Sequence, residues 1–259
     1  MLSLDIRNTT YTASSCGDGH PWESQPGDKY WIERHYELTK MTMEHQKEIQ
    51  AIFIGASGAE YWQKDGKLIW DNYYGTNGAA NYGIRGDTIS NVLWRIQNRE
   101  LDGLTPKVIV VTSGPGFNTM CHNRAVSAPD VLRGQQEIVR ELRAKFTAAK
   151  VIIIGHTPYT NTLISERSKQ INVELKKLAD NRSVFYIDLT PYLMDSSGHQ
   201  IPKLFLGDHL HLSLEGYRPH KYCHYGSPDK YCLYGSPDKY CLYGSPDKYC
   251  LYRSPDKYC

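Results

Sequence analysis

Three short apolar runs constrain this chain most. Ala51–Ile54, Val108–Val111 and Val151–Ile154 carry no charge and are separated by stretches with helical periodicity. Runs this short suit strands buried on both faces, whereas a bilayer span needs about 20 apolar residues. Asn81–Ile84 and Val184–Leu189 read as two further strands. Between them, Ile89, Val92, Leu93 and Ile96 follow the i, i+3, i+4, i+7 spacing of one helix face, with Asp87 placed to cap it. Ile138, Val139, Leu142 and Phe146 mark a second helix, and Ile171, Leu175 and Leu178 a third. Strands alternating with helices imply right-handed crossovers, hence an α/β domain with a parallel five-stranded sheet covered on both faces.

The pattern does not fill the 259 residues. Residues 1–29 are polar, rich in Thr, Ser, Gly and Pro, and read as a loosely ordered lead-in. Residues 30–219 hold the alternating pattern. Residues 220–259 are a tandem array in which the nine residues Lys230–Asp238 recur almost unchanged, with Tyr, Cys and a Ser-Pro turn in each unit. Gly and Pro in every unit forbid a continuous helix, so the array reads as a disordered tail. A cross-linking tail is the sharper alternative, and it requires secretion. Met1–Tyr11 lacks a basic start followed by an apolar stretch, so the expected location is cytoplasmic. Outside the array only Cys16 and Cys121 remain, in keeping with a reducing compartment. A formal charge of +2 argues against a nucleic-acid or membrane-surface binder.

In a parallel sheet the active site lies beyond the carboxyl ends of the strands. Those positions hold Ser57, Gly86, the Gly114–Asn118 turn and the Asp208–His211 loop. A serine hydroxyl is a weak nucleophile until a base takes its proton, and a histidine held by a carboxylate does so near neutral pH. A glycine N–H and a side-chain amide would serve as donors to the oxyanion of a tetrahedral intermediate.

With these residues in view, the chain resembles the SGNH/GDSL hydrolases, and among them the catalytic subunits of intracellular type Ib platelet-activating-factor acetylhydrolases. The resemblance runs from about Tyr30 to Tyr217. It is carried by Asn81-Tyr-Gly-Ile-Arg-Gly-Asp-Thr88, Asn91-Val-Leu-Trp-Arg-Ile-Gln-Asn98, Glu100-Leu-Asp102 and Asp208-His-Leu-His-Leu-Ser213. It implies a three-layer, flavodoxin-like fold and a serine esterase that cleaves a short acyl ester without cofactor or metal. Ser57 falls at the nucleophile position, His211 at the base, Asp208 at the acid that orients it, and Gly86 at the oxyanion glycine. The resemblance also implies a small-molecule ester substrate, pairing with a second subunit and a WD-repeat regulatory partner.

Three departures stand out. Gly55-Ala56-Ser57 replaces the family's Gly-Asp-Ser, removing a carboxylate from the nucleophile turn. The Asn of the third motif falls on Gly116 if the turn is ungapped, or on Asn118 if the turn carries two extra residues. Finally, Gly216-Tyr-Arg-Pro219 leads into the repeats where the family has a helix.

Plainer readings stand beside these. Ser57 could be a turn serine and His211 a loop histidine; their joint placement favours catalysis. His209 and His211 form a His-x-His pair, but only Asp208 is near to complete a metal site. Trp94 reads as core rather than as a substrate platform. If the displaced Asn and the missing Asp abolish turnover, the alternative is a catalytically impaired scaffold that keeps the fold for binding.

Overall fold

A computed structural model describes residues 20–218. The sheet is parallel throughout, with strand order β2-β1-β3-β4-β5. The strands are β1 Ala51–Gly55, β2 Ala79–Gly83, β3 Val108–Val111, β4 Lys150–Ile154 and β5 Val184–Ile187. This is the flavodoxin-like order, and it places the chain reversal, where ligands bind in such sheets, between β1 and β3. The repeat array, Cys16 and the first nineteen residues of the lead-in lie outside the described residues.

Period-two alternation sorts the strand residues onto two faces. Ile52, Ile54, Tyr82, Ile109 and Ile153 point to one core, together with Leu38, Leu93, Ile138 and Leu175. Those four come from α1 Lys29–His45, α4 Ile89–Gln97, α6 Ala128–Lys145 and α7 Thr162–Lys176. Phe53, Val110, Ile152 and Phe185 point to the opposite core, where they meet Trp62, Trp70, Tyr74 and Tyr217. There the cover comes from the 3₁₀ turn Tyr61–Gln63 that continues α2 Ser57–Glu60, from α3 Lys67–Tyr73 and from the single turn α9 Leu214–Tyr217. Each such side chain, fully buried, contributes about 1.5–3 kcal/mol. The remaining helices are α5 Gly114–His122 and the short α8 Thr190–Leu193.

Four details differ from the sequence reading. Residues 20–28 pack on the domain: Gln25 N–H donates to Ser90 O (3.1 Å), Asn91 Nδ2 donates to Gln25 O (3.0 Å), and Arg133 stacks on Trp22. Asp28 then caps α1 by accepting from Trp31 N–H at 2.9 Å. Asp87 does not cap α4. Thr88 does, in a capping box with Asn91, which leaves Asp87 free to turn inward. The Gly114–Asn118 segment is not a turn but the start of α5, with Pro115 in the first turn, where a missing N–H costs nothing.

Candidate active site

Ser57 is the first residue of α2, two residues beyond the end of β1. The helix is pinned from below by Asn81, whose amide donates to Ala59 O at 2.7 Å while its Oδ1 accepts from Gly83 N–H at 2.8 Å. Gly83 is required by proximity: a Cβ there would lie 2.1 Å from Glu60 N. Ala56, where the family has its carboxylate, is fully buried, and a Cβ on Gly114 would approach its own to 2.9 Å.

Asp208 and His211 arrive on one turn that the acid itself builds. Asp208 Oδ1 accepts from the backbone N–H groups of Leu210 and His211, both at 3.0 Å, in an Asx turn. His209, at φ +56°, supplies the left-handed step. Asp208 Oδ2 is thereby free for His211 Nδ1, 2.5 Å away. Because the carboxylate only accepts, Nδ1 carries the proton and Nε2 presents its lone pair. Ser57 Oγ lies 2.8 Å from Nε2, so the hydroxyl donates to the imidazole. Burial alone would raise the Asp208 carboxyl, but hydrogen bonds from His211 Nδ1 and the two backbone N–H groups outweigh it and hold the group below the usual carboxylate range. Tyr61 stacks on the imidazole, ring centroids 4.5 Å apart. Sequence reasoning missed Tyr61, since an aromatic four residues after the serine has no motif of its own.

On the other side of Ser57 stands Gly86, at φ +83°, a conformation that favours glycine. Its N–H has no hydrogen-bond partner among the described residues, so it is available as a donor. The preceding residue is held by Glu60, whose Oε2 accepts Arg85 N–H at 2.5 Å. Asn118 borders the same groove as Ser57, Gly86 and His211. One hydrogen of its amide goes to Asp87 O at 2.8 Å, and the second remains for another acceptor. Gly116, two residues earlier on α5, faces nearly the opposite way. A Cβ there would come within 2.7 Å of Gln135 Nε2 and 2.8 Å of His156 Cε1. Of the two residues offered for the third motif, the structure brings Asn118 to the groove and turns Gly116 inward. His156 is itself buried in the wall behind α5, and desolvation pushes it down to about 4, so it stays neutral.

Behind Gly86 and Asn118 lies a buried ion network that the motifs did not announce. Arg95, Asp87 and Glu100 are all fully buried. Arg95 Nη2 donates to Asp87 Oδ2 at 2.6 Å and Nη1 to Glu100 Oε1 at 2.7 Å. The same guanidinium donates to Tyr82 O (2.8 Å) and Gly55 O (3.4 Å), joining the exits of β2 and β1. From α1, the Trp31 indole donates to Asp87 Oδ1, and His35 Nδ1 meets Glu100 Oε2 at 2.7 Å. Burial pushes the Asp87 carboxyl up to about 7, against the downward pull of Arg95 and the indole. Asp87 thus follows Gly86 in the chain, receives Asn118 on its carbonyl and anchors both to the core. The one available signal was Asp87, Arg95 and Glu100, charges of both signs within fourteen residues around a helix with one apolar face.

The comparisons with known proteins agree with this architecture. A family model for GDSL-like lipases and acylhydrolases matches residues 53–218. The chain belongs to the GDSL-like lipase/acylhydrolase family. Platelet-activating factor acetylhydrolase IB subunit alpha1 of Homo sapiens is 30% identical over 77% of this chain and 83% of its own length. Subunit alpha2 of Rattus norvegicus is 32% identical over 76% of this chain and 83% of its own. Among solved structures, a GDSL-like lipase from Bacteroides thetaiotaomicron superposes with a TM-score of 0.56 at 17% identity, covering 69% of this chain and 91% of that one, a likeness of fold. Membership in this acylhydrolase family is consistent with esterase activity, and among the described residues no helix is long and apolar enough to cross a membrane.

Proposed function

We propose that the protein is a serine esterase hydrolysing short, acetyl-type acyl esters. The observation that carries this reading is the continuous chain Ser57 Oγ–His211 Nε2 at 2.8 Å and His211 Nδ1–Asp208 Oδ2 at 2.5 Å. Ser57 Oγ attacks the ester carbonyl carbon while His211 Nε2 takes its proton. Asp208 keeps the imidazole in the correct tautomer and stabilises the cation that forms. The oxyanion is held by Gly86 N–H and the free hydrogen of Asn118, with Ser57 N–H as a third donor. The tetrahedral intermediate collapses, the C–O bond to the alcohol breaks, and His211 returns the proton to the alcohol. Water, deprotonated by the same imidazole, then releases the acid and restores Ser57.

A cavity of about 100 Å³ opens at Ser57 and His211 and runs back between Phe53, Trp62, Tyr74 and Tyr217. Its small, aromatic-walled volume supports a short acyl group over a long one. The curated relatives carry the names of acetylhydrolase subunits. By that likeness the reading extends to a cytoplasmic setting, a second subunit and a WD-repeat regulatory partner.

The test is hydrolysis of p-nitrophenyl acetate by wild type and Ser57→Ala, with labelling of Ser57 by an organophosphonate. Expected are loss of nearly all turnover in the variant and labelling confined to wild type. Equal rates in both proteins would leave a fold used for binding alone.

A further inference from the structure

The space in front of Ser57 divides unequally. One side is the small aromatic cavity of about 100 Å³; the other is an open groove of about 690 Å³ towards α1 and α4. Ser57, Gly86 and His211 share that groove with Arg85, Tyr30 and Asn123. An ester bound with its acyl group in the small cavity must place its alcohol portion in the large one.

The charge in the groove is uneven as well. Arg85 is exposed, with its guanidinium 5.1 Å from the centroid of the Tyr30 ring. The carboxylates of the neighbouring segments are committed elsewhere. Glu60 pairs with Lys64 through Oε1 and accepts Arg85 N–H through Oε2. Asp87 is buried against Arg95, and Asp28 caps α1. Arg85 makes no ion pair among the described residues, so it stands as an unpaired cation one residue from the oxyanion glycine, with Asp28 the one carboxylate that lines the groove. A guanidinium resting on an aromatic face, with its donors open to solvent, suits the planar bidentate recognition of a carboxylate or phosphate.

Resting on the esterase reading, we propose that the groove is a binding site for an anionic group on the alcohol portion of the ester, with Arg85 as its specificity-determining residue. The cation attracts the anion from solution and fixes the alcohol while the carbonyl meets Ser57. Adjacency in the chain gives the coupling: the backbone that positions Gly86 N–H also aims Arg85.

The experiment uses the full chain and three acetate esters of matched shape. These are 4-acetoxybenzoate, 4-acetoxyphenyl phosphate and the neutral methyl 4-acetoxybenzoate. Each anionic-to-neutral ratio of kcat/KM is compared between wild type and Arg85→Gln, which cancels differences in intrinsic reactivity. Expected is a ratio about tenfold lower in the variant, lower again in Arg85→Glu, with the loss mainly in KM. The wild-type preference should also shrink as salt rises from about 0.02 M to about 0.5 M, because the Debye length shortens. The two anionic esters show whether carboxylate or phosphate is preferred. A ratio unchanged by Arg85→Gln for both anions overturns the proposal. Should wild type hydrolyse none of the three faster than Ser57→Ala, the esterase reading falls. The groove is then judged by calorimetric binding of 4-acetoxybenzoate, where equal affinity in wild type and Arg85→Gln overturns it.

Discussion

The two arms that meet at Ser57 are built by opposite means. Asp208 and His211 are three residues apart on a surface loop, and the acid is 48% exposed at its side chain. Their geometry comes from one Asx turn, moored to the preceding loop by Leu206 N–H, which donates to His211 O at 2.7 Å. Gly86 and Asn118 come from separate segments, brought together by Asp87 and through it by Arg95, Glu100, Trp31 and His35, all buried. The Asp208–His211 arm is a local device and the Gly86–Asn118 arm a tertiary one. A substitution in the first should therefore alter chemistry and spare the fold, whereas one behind the second should alter both.

The largest effect tests the local arm. Asp208→Asn keeps an oxygen to accept the two backbone N–H groups, so the turn survives, but the imidazole loses the partner that sets its tautomer. Turnover should fall by about 10⁴ while urea denaturation moves by less than about 1 kcal/mol. A large loss of stability would break the comparison, since the loop would then be holding part of the core.

Arg95→Met tests the other arm from behind. It leaves two buried carboxylates without their cation, which costs about 3–5 kcal/mol. The unfolding free energy from urea denaturation should drop by that amount, and Gly86 and Asn118, released from their anchor, should lower the activity of whatever remains folded. A variant as stable as wild type would mean that Asp87 and Glu100 are held by other groups.

Asn118→Ala gives the smallest of these effects. Turnover should fall about 10²–10³-fold, as when one oxyanion donor is removed, with stability changed by about 1 kcal/mol for the lost bond to Asp87 O. Unchanged turnover would show that the amide serves only to tie α5 to the Asp87 turn.

The same contrast explains how much was legible in the sequence. The sheet was, because apolar runs such as Val108–Val111 and Val151–Ile154 permit little else, and the observed strands lie close to the expected ones. Asp208 and His211 were visible because their chemistry is written in four consecutive residues. The network was not. Asp87 looked like a cap because Asp commonly caps, and only the tertiary demand of a buried Arg95 turned it inward while Thr88 took the cap. Helix α1 escaped notice for a related reason: its inward face mixes Trp31, Ile32 and Leu38 with buried His35 and Thr42, which blurs the apolar period. The start of α5 was hidden by Gly-Pro-Gly, residues that ordinarily punctuate loops.

The Asx turn at Asp208 has a consequence for inheritance. Since Asp208 folds the very turn that carries His211, the pair travels as one cassette, moored to the preceding chain at Leu206, whose N–H donates to His211 O and whose carbonyl accepts His209 N–H. The exposed turn of residues 195–199, ahead of Leu204 and Phe205 that pack with Leu212, is therefore a place where insertions and deletions can accumulate. Lineages descended from such a chain are free to lengthen that turn while transmitting the Asp208–His211 pair intact.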